Sequence, residues 1–235
     1  MNEHTIKRYE DELSKLREKV LSMGEKVIKA TRRSMNSLVK HDPKRAHKVI
    51  ERDSTINALE IEIDEMTRTL LALRQPAAGD LRFVITTIKV VTDLERIGDL
   101  AEGIAVNMLK TEEHPVIRIS SLQSLADLVI EQLSASLHAF AERDIDAAMK
   151  CIEGDERVDE KYKSMQREYL TYMLEDPRQI TGGLITTNIA KYLERIGDHA
   201  VNISEMVIYM IKGHDVRHVD HETAAALISG KLEED

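Results

Sequence analysis

The chain has 235 residues, enough for one large or two small domains, and its few aromatic residues and abundant Leu, Ile, Met, Ala, Glu, Lys and Arg predict an all-α fold. A net charge of −9 argues against nucleic acid as the main partner, because phosphate backbones are bound chiefly by Lys and Arg. The single cysteine, Cys151, excludes an internal disulfide and fits a reducing compartment. The N-terminus is too polar for a signal peptide, and no apolar run reaches the roughly 18 residues that span a bilayer. We therefore expect a cytoplasmic protein without membrane insertion.

Prolines divide the chain into six predicted helices. Each of the four prolines stands between long stretches of helical pattern, where a missing N–H is tolerated. Asp42, just before Pro43, and Asp144 are natural N-caps. The predicted helices cover residues 3–40, 43–74, 78–110, 117–142, 144–175 and 179–212.

The chain repeats itself. "LERIGD" occurs at 94–99 and again at 193–198, an offset of 99, and "HDPKRAHKVIERD" at 41–53 matches "ERDIDAAMKCIEGD" at 142–155 with an offset of 102. Helices of this length need to pack side by side. We therefore predict two tandem repeats of an antiparallel three-helix bundle, at 1–114 and 115–213, followed by a C-terminal tail at 214–235.

Polar residues interrupt the apolar stripe of the second helix. These residues step by four, three and four and share one helix face beside that stripe: Asp53, Asn57, Glu60 and Asp64. The second repeat keeps the start of this pattern, with Asp155 over Asp53 and Asp159 over Asn57. Both second helices are thus predicted to carry acids next to the core.

The third helix of each repeat carries a pair of acids four residues apart. These are Glu95 and Asp99 in the first copy and Glu194 and Asp198 in the second. Between the first pair lies Gly98, which costs about 1 kcal/mol relative to Ala inside a helix. The glycine predicts a close approach there, by a neighbouring helix or by a ligand.

Carboxylates that converge inside a bundle need compensation. It can come from protonation, from pairing with Arg96 or Arg195, or from a cation, and oxygen-only ligand sets suit Mg²⁺, Ca²⁺, Mn²⁺ or iron. An exposed face paired with Lys and Arg is the simpler alternative. Because the set is doubled, we favour metal binding. His199 has no counterpart in the first repeat, where Leu100 stands, and is interpreted as a solvated side chain.

A basic stretch stands out against the acidic chain. Between Lys26 and Arg52 there are nine Lys or Arg against two acids, Asp42 and Glu51. Such a run is often only a solvated helix face. It is also a candidate docking patch for an acidic protein partner, and both interpretations stay open.

The paired "LERIGD" segments, "RQPAAGDLR", "YMLEDPRQI" and "YMIKGHDVRHV" resemble the PhoU family over nearly the whole chain. The resemblance implies a cytoplasmic protein, usually a homodimer, that is not an enzyme. It implies a negative regulator of phosphate uptake and of the phosphate-starvation response. Such a regulator acts as an adaptor between a Pst-type phosphate transporter, through its ATPase, and a PhoR-type sensor histidine kinase.

The resemblance also implies metal ligands. The family's Glu/Asp-x-x-x-Asp motif falls on Glu95 and Asp99 and on Glu194 and Asp198, with Mg, Mn, Fe, Zn or Ca as the candidate ions. Because Tyr162 stands where Glu60 would align, the two sites are predicted to differ in affinity. The facing residues expected to complete them are Asp53, Asn57, Glu60, Asp155 and Asp159.

Two other classes stay open. A carboxylate-bridged di-metal enzyme of the ferritin-like type uses Glu-x-x-His on two helices, and this sequence contains no Glu-x-x-His. It also lacks a Gly-rich phosphate loop. A purely structural helical adaptor needs no metal at all.

Overall fold

The computed structural model describes residues 3–217 together with Thr223 and Leu227. All regular elements in this part of the chain are helices, so the predicted all-α fold is confirmed. None of these helices has an apolar stretch long enough to cross a bilayer. The predicted tail at 214–235 lies mostly outside the described residues.

Seven α-helices and two single-turn 3₁₀ helices make up the described fold. The 3₁₀ turns are Lys110–Glu112, directly after the third helix, and Pro177–Gln179, directly before the last. The α-helices are α1 (Glu3–Val39), α2 (Pro43–Arg74), α3 (Ala78–Leu109), α4 (Ile119–Glu142), α5 (Ile145–Glu153), α6 (Asp155–Glu175) and α7 (Ile180–Lys212).

The second helix of each repeat begins at the predicted cap. Asp42 Oδ1 accepts a hydrogen bond from the backbone N–H of Arg45 at 3.0 Å, and Asp144 Oδ1 accepts one from Ala147, also at 3.0 Å. An aspartate in this position satisfies one of the free N–H groups of the first turn. Both repeats therefore start this helix by the same local device.

The prediction of one continuous helix at 144–175 is wrong, because the chain is interrupted at Gly154 and forms α5 and α6. Gly154 keeps right-handed backbone angles, φ −68° and ψ −15°, and the low helix propensity of glycine favours an interruption at this position. In the first repeat Arg52 holds the equivalent position, and α2 runs through it unbroken. The described fold therefore has seven α-helices where six were predicted.

The two repeats share one hydrophobic core. The most extensive packing in the described chain joins α3 to α7, and α1 also packs on α4, so the repeats meet through the first and last helices of each. The offset of 102 residues extends to the first helices. There, buried Val20, Val27 and Leu38 of α1 correspond to buried Leu122, Val129 and Phe140 of α4.

Candidate metal centre

Helices α2 and α3 bring three carboxylates together in the first repeat. Asp53, Asp99 and Glu102 each offer an oxygen, and these atoms lie within 4.8 Å of one another. Glu102 was not predicted, although it continues the i, i+4, i+7 face that begins at Glu95 and Asp99. It was missed because the prediction followed the repeat, and Val201 stands at the matching position.

Asp53 is the buried member of this trio, with 9% of its surface exposed. Its Oδ2 accepts a hydrogen bond from Nδ2 of Asn57 at 3.1 Å, while its Oδ1 has no hydrogen-bond partner among the described residues. Burial, and then the Asp99 carboxylate, raises the pKa of Asp53. A buried carboxylate oxygen without a donor is costly, and a cation would remove that cost.

Glu95 and Glu60 lie around the trio as further acids. Burial, and then the carboxylate of Asp99, raises the pKa of Glu95. Burial, and then the carboxylate of Asp64, raises the pKa of Glu60. The predicted residues of the first repeat thus share one acidic region, with Glu95 and Glu60 outside the trio. Asn57 Oδ1 is also buried without a hydrogen-bond partner in the described structure.

Gly98 permits the close approach of α2 to α3. A Cβ there would lie 3.2 Å from Cδ1 of Ile56 and 3.3 Å from Oδ1 of Asp53. These contacts are tighter than ordinary van der Waals packing. The predicted close approach is therefore made by side chains of the neighbouring helix. One of them is the carboxylate of Asp53, whose Oδ1 has no hydrogen-bond partner among the described residues.

Arg96 compensates these acids only in part. Its Nη1 lies 3.4 Å from Oδ2 of Asp99 and its Nε lies 3.6 Å from Oε2 of Glu95, while 58% of its side chain is exposed. Exposed ion pairs of this kind contribute little. Asp53 is left without a basic partner among the described salt bridges.

The acids of the second repeat also lie close together, but two of them already contact side-chain donors of the protein. The pKa of Asp198 is raised mainly by burial and next by the carboxylates of Asp155 and Asp159. The pKa of Glu194 is raised mainly by burial and next by the carboxylate of Asp198. Gln132 Nε2 donates to Asp155 Oδ1 at 3.1 Å, and Lys163 Nζ lies 2.8 Å from Asp159 Oδ2. Within the described chain, three ligand atoms converge in the first repeat alone. The geometry of the two repeats is therefore unequal.

The interpretation of His199 as a solvated side chain is wrong. Its Nδ1 lies 2.8 Å from Oδ1 of Asp93 on α3, and both side chains are 17% exposed. Asn202 donates to the same Asp93 oxygen at 3.3 Å. His199 therefore belongs to the contact between α3 and α7, and the sequence of one helix alone could not reveal its partner.

Two helical repeats, joined through α3 and α7 and carrying acids on facing helices, define a duplicated helical-bundle protein with a carboxylate-rich candidate metal centre. A family model described as the PhoU domain matches residues 20–108 and 122–207. The chain belongs to the PhoU family.

Similar proteins match over almost the full length. The Phosphate-specific transport system accessory protein PhoU of Escherichia coli (strain K12) is 37% identical, over 98% of this chain and 96% of its own. A PhoU homolog of Pseudomonas putida is 40% identical over 98% of this chain and 91% of its own. The crystal structure of PhoU from Pseudomonas aeruginosa, 40% identical, superposes with a TM-score of 0.85 over 88% of this chain and all of that one. The phosphate transport system regulatory protein PhoU from Streptococcus pneumoniae, 30% identical, gives 0.83 over 88% of this chain and 99% of its own.

Proposed function

We propose that this protein is a negative regulator of phosphate uptake and of the phosphate-starvation response. The observation that carries the proposal is its membership of the PhoU family over nearly its whole length, with both repeats matched. Relatives are named as an accessory protein and as a regulatory protein of phosphate transport systems. The chain is proposed to have the corresponding role.

Its proposed partners are the ATPase of a Pst-type phosphate transporter and a PhoR-type sensor histidine kinase, both reached from the cytoplasm. A protein without catalysis changes such partners only by binding one of their states better than another. The adaptor therefore needs surfaces that distinguish partner states. A helical scaffold with two related but unequal repeats offers two different surfaces of this kind.

Two features support a role without catalysis. The only cysteine, Cys151, is buried, and burial raises the pKa of its thiol to about 11, which keeps it in the unreactive protonated form. The candidate metal centre combines carboxylates alone, whereas the ferritin-like di-metal enzymes use Glu-x-x-His ligands. The di-metal enzyme is therefore the weaker alternative.

The first-repeat trio fits a hard cation. Asp53, Asp99 and Glu102 are proposed to hold it, with Glu95 and Glu60 as flanking acids. An all-oxygen set suits Mg²⁺, Mn²⁺, Ca²⁺ or iron better than Zn²⁺, which more often takes nitrogen and sulfur. The ion would neutralise the repelling carboxylates. A weaker second site is proposed at Asp155, Asp159, Glu194 and Asp198.

A homodimer is part of the same proposal. Leu170 and Leu174 lie one turn apart on α6 and are 55% and 76% exposed, while Ile180 and Leu184 lie one turn apart on α7 and are 44% and 55% exposed. The two pairs flank the turn that joins these helices. Large exposed apolar side chains in one region are typical of an interaction surface.

Co-purification tests the proposed role. Tagged protein, either chelator-treated or loaded with a divalent cation, is used to capture the transporter ATPase and the kinase from membranes solubilised under phosphate-rich conditions. Capture of both supports the adaptor. If neither is captured in either state, the proposal is lost. An oxidase and phosphatase screen of the loaded protein runs beside it, and turnover would favour the di-metal enzyme instead.

A further inference from the structure

The first repeat contains a cationic pocket between α1 and α2 that the metal proposal does not explain. Its volume is about 300 Å³, and Lys26, Lys29, Arg33 and Arg52 line it together with Asp53. The four basic residues belong to exposed parts of their helices, so their charges stand at the mouth, whereas Asp53 is buried. Such a volume suits a small ligand. The concentration of positive charge is unusual in a chain of net charge −9.

The second repeat provides an internal comparison. A pocket of about 200 Å³ lies between α4 and the α5–α6 segment, and most of its lining residues correspond to those of the first pocket by the same offset of 102 residues. The shape is thus a product of the repeated fold, but the charge is not. At the positions of Lys26, Lys29, Arg33 and Arg52, the second pocket has Leu128, Glu131, Ala135 and Gly154. Its own basic residues are two, Lys150 and Arg157, against four in the first pocket.

One further substitution changes what the buried acid contacts. In the second repeat Gln132 extends into the pocket, and its Nε2 donates to Asp155 Oδ1 at 3.1 Å. Ala30 occupies that position in the first repeat, and it has no donor to offer. The equivalent Asp53 Oδ1 is left without a hydrogen-bond partner in the described structure. A ligand with a donor hydrogen can take the place of the missing amide.

We infer that the first-repeat pocket binds a hydrogen-phosphate group, with Lys26, Arg33 and Arg52 around the anion and the orphaned Asp53 oxygen accepting its P–OH. Lys29 contributes less, because its Nζ also contacts exposed Glu25 at 2.8 Å. Charge-assisted hydrogen bonds from Arg and Lys are the strong contacts of phosphate sites. The carboxylate adds selectivity, since hydrogen phosphate donates a proton and sulfate has none to donate.

The choice of phosphate rests in part on the proposed function, whereas the anion pocket itself does not. A cation held by Asp53, Asp99 and Glu102 would share Asp53 with the anion. The test therefore uses chelator-treated full-length protein, in which the only positive charges at the pocket are those of the chain. It also avoids direct metal–phosphate association in solution.

The experiment is a calorimetric titration with inorganic phosphate at low salt and near neutral pH. We expect one phosphate per chain, weaker binding as salt is added, and sulfate at least about tenfold weaker. Pyrophosphate and a nucleotide, titrated in parallel, show whether the group is preferred free or as part of a larger phosphate. Absence of phosphate binding at millimolar concentrations overturns the inference, and so does equal binding of sulfate.

Three variants locate the site. Arg33→Ala should weaken phosphate binding about tenfold or more. Arg32→Ala is the matched control, because Arg32 is the exposed neighbour that does not line the pocket, and it should bind phosphate as the wild type does. Ala30→Gln introduces the amide of the second repeat and should also weaken binding about tenfold. The variant should unfold no more easily than the wild type, because the amide supplies the donor that Asp53 Oδ1 lacks.

Equal losses in Arg33→Ala and Arg32→Ala would reduce the effect to general surface charge and overturn the inference. A loss of partner capture in Arg33→Ala, in a protein that never bound phosphate, would assign the pocket to protein docking instead. The proposed function is tested separately. If the protein binds phosphate but captures neither the transporter nor the kinase, the phosphate site is supported and the regulatory role is contradicted. If the protein captures both partners but binds no phosphate, only the inference of a phosphate site is contradicted.

Discussion

Asn57 donates a hydrogen bond from Nδ2 to Oδ2 of Asp53, 3.1 Å away and one turn earlier on α2. The bond fixes the carboxylate so that its other oxygen, Oδ1, stays free at the junction with α3. Asn57 therefore orients the carboxylate that is proposed to bind the cation. This contact between Asn57 and Asp53 was not evident from the sequence. The expectation that Asn57 is itself a ligand stays a prediction, since its Oδ1 has no hydrogen-bond partner in the described structure.

Asn57→Ala should lower metal affinity about 10- to 100-fold, because partners that orient metal ligands typically contribute that much. Helix content should not change. The affinity is measured by competition with a chromophoric chelator, and Ser54→Ala, an exposed change on the same helix, is the control. A variant with wild-type affinity would show that Asp53 needs no support from Asn57.

Gly98→Ala and Gly79→Ala form a matched pair on α3. A Cβ at Gly79 meets nothing within 4 Å, so that variant should be more stable by up to about 1 kcal/mol through helix propensity. At Gly98 the new methyl would lie 3.3 Å from Asp53 Oδ1, and overpacking should cancel the gain and reduce metal affinity. Denaturant unfolding and the chelator competition measure both effects. Equal stabilisation of the two variants would contradict the tight α2–α3 contact.

Glu205→Gln should change how stability depends on pH. Burial raises the pKa of Glu205 from its ordinary 4.5 to about 7. The positive charge of Arg217 opposes this rise, and the negative charges of three aspartates add to it: Asp215, Asp93 and Asp155. The folded state therefore binds the proton more tightly, and wild-type stability falls as pH rises from 4.5 to about 7.

The variant should match the wild type at the acidic end of this range and exceed it by about 1 kcal/mol in mildly alkaline buffer, a value reduced for the partial exposure of the side chain. Urea unfolding at both pH values provides the measurement. Glu160→Gln, on an exposed face of α6, is the control. An unchanged pH profile in Glu205→Gln would mean that Glu205 ionises normally in the folded protein.

Leu174→Ser should weaken the proposed dimer, because removal of a large exposed apolar side chain from an interface raises the dissociation constant, by about tenfold or more if Leu174 is central. Leu73 on α2 is similarly exposed, at 73% against 76%, and Leu73→Ser is the matched control. Sedimentation over a concentration series gives the dissociation constants. If the two variants associate equally, the α6–α7 surface is not the interface.

The repeat and the helix periodicity predicted most of the fold. Asp42, Asp144 and the prolines marked helix starts because capping depends on local chemistry that a short sequence contains. Gly154 showed the limit of this approach. A glycine inside a helical pattern is tolerated in some positions and breaks the helix in others, and the outcome depends on packing that the local sequence does not contain.

The site was predicted less completely than the fold. The spacing of Glu95 and Asp99 identified the face of α3 on which Asp99 and Glu102 meet Asp53, and the same spacing rule extends to Glu102. The differences between the repeats depend instead on tertiary partners. Gln132 reaches Asp155 from α4, 23 residues away in sequence, and Asp93 reaches His199 from another repeat, 106 residues away. No local pattern indicates such pairs.

Thermal unfolding with and without metal shows whether a cation binds the first-repeat carboxylates. The wild type should gain stability as RT ln(1 + [L]/Kd), about 2.7 kcal/mol at a hundredfold excess of ion over Kd, and should lose it on chelation. Glu95→Ala with Asp99→Ala should stay helical and soluble but lose most of this response. Glu194→Ala with Asp198→Ala should keep most of it. If the midpoint temperature of wild-type unfolding changed neither with chelator nor with added divalent cation, binding of a cation to these carboxylates would be contradicted.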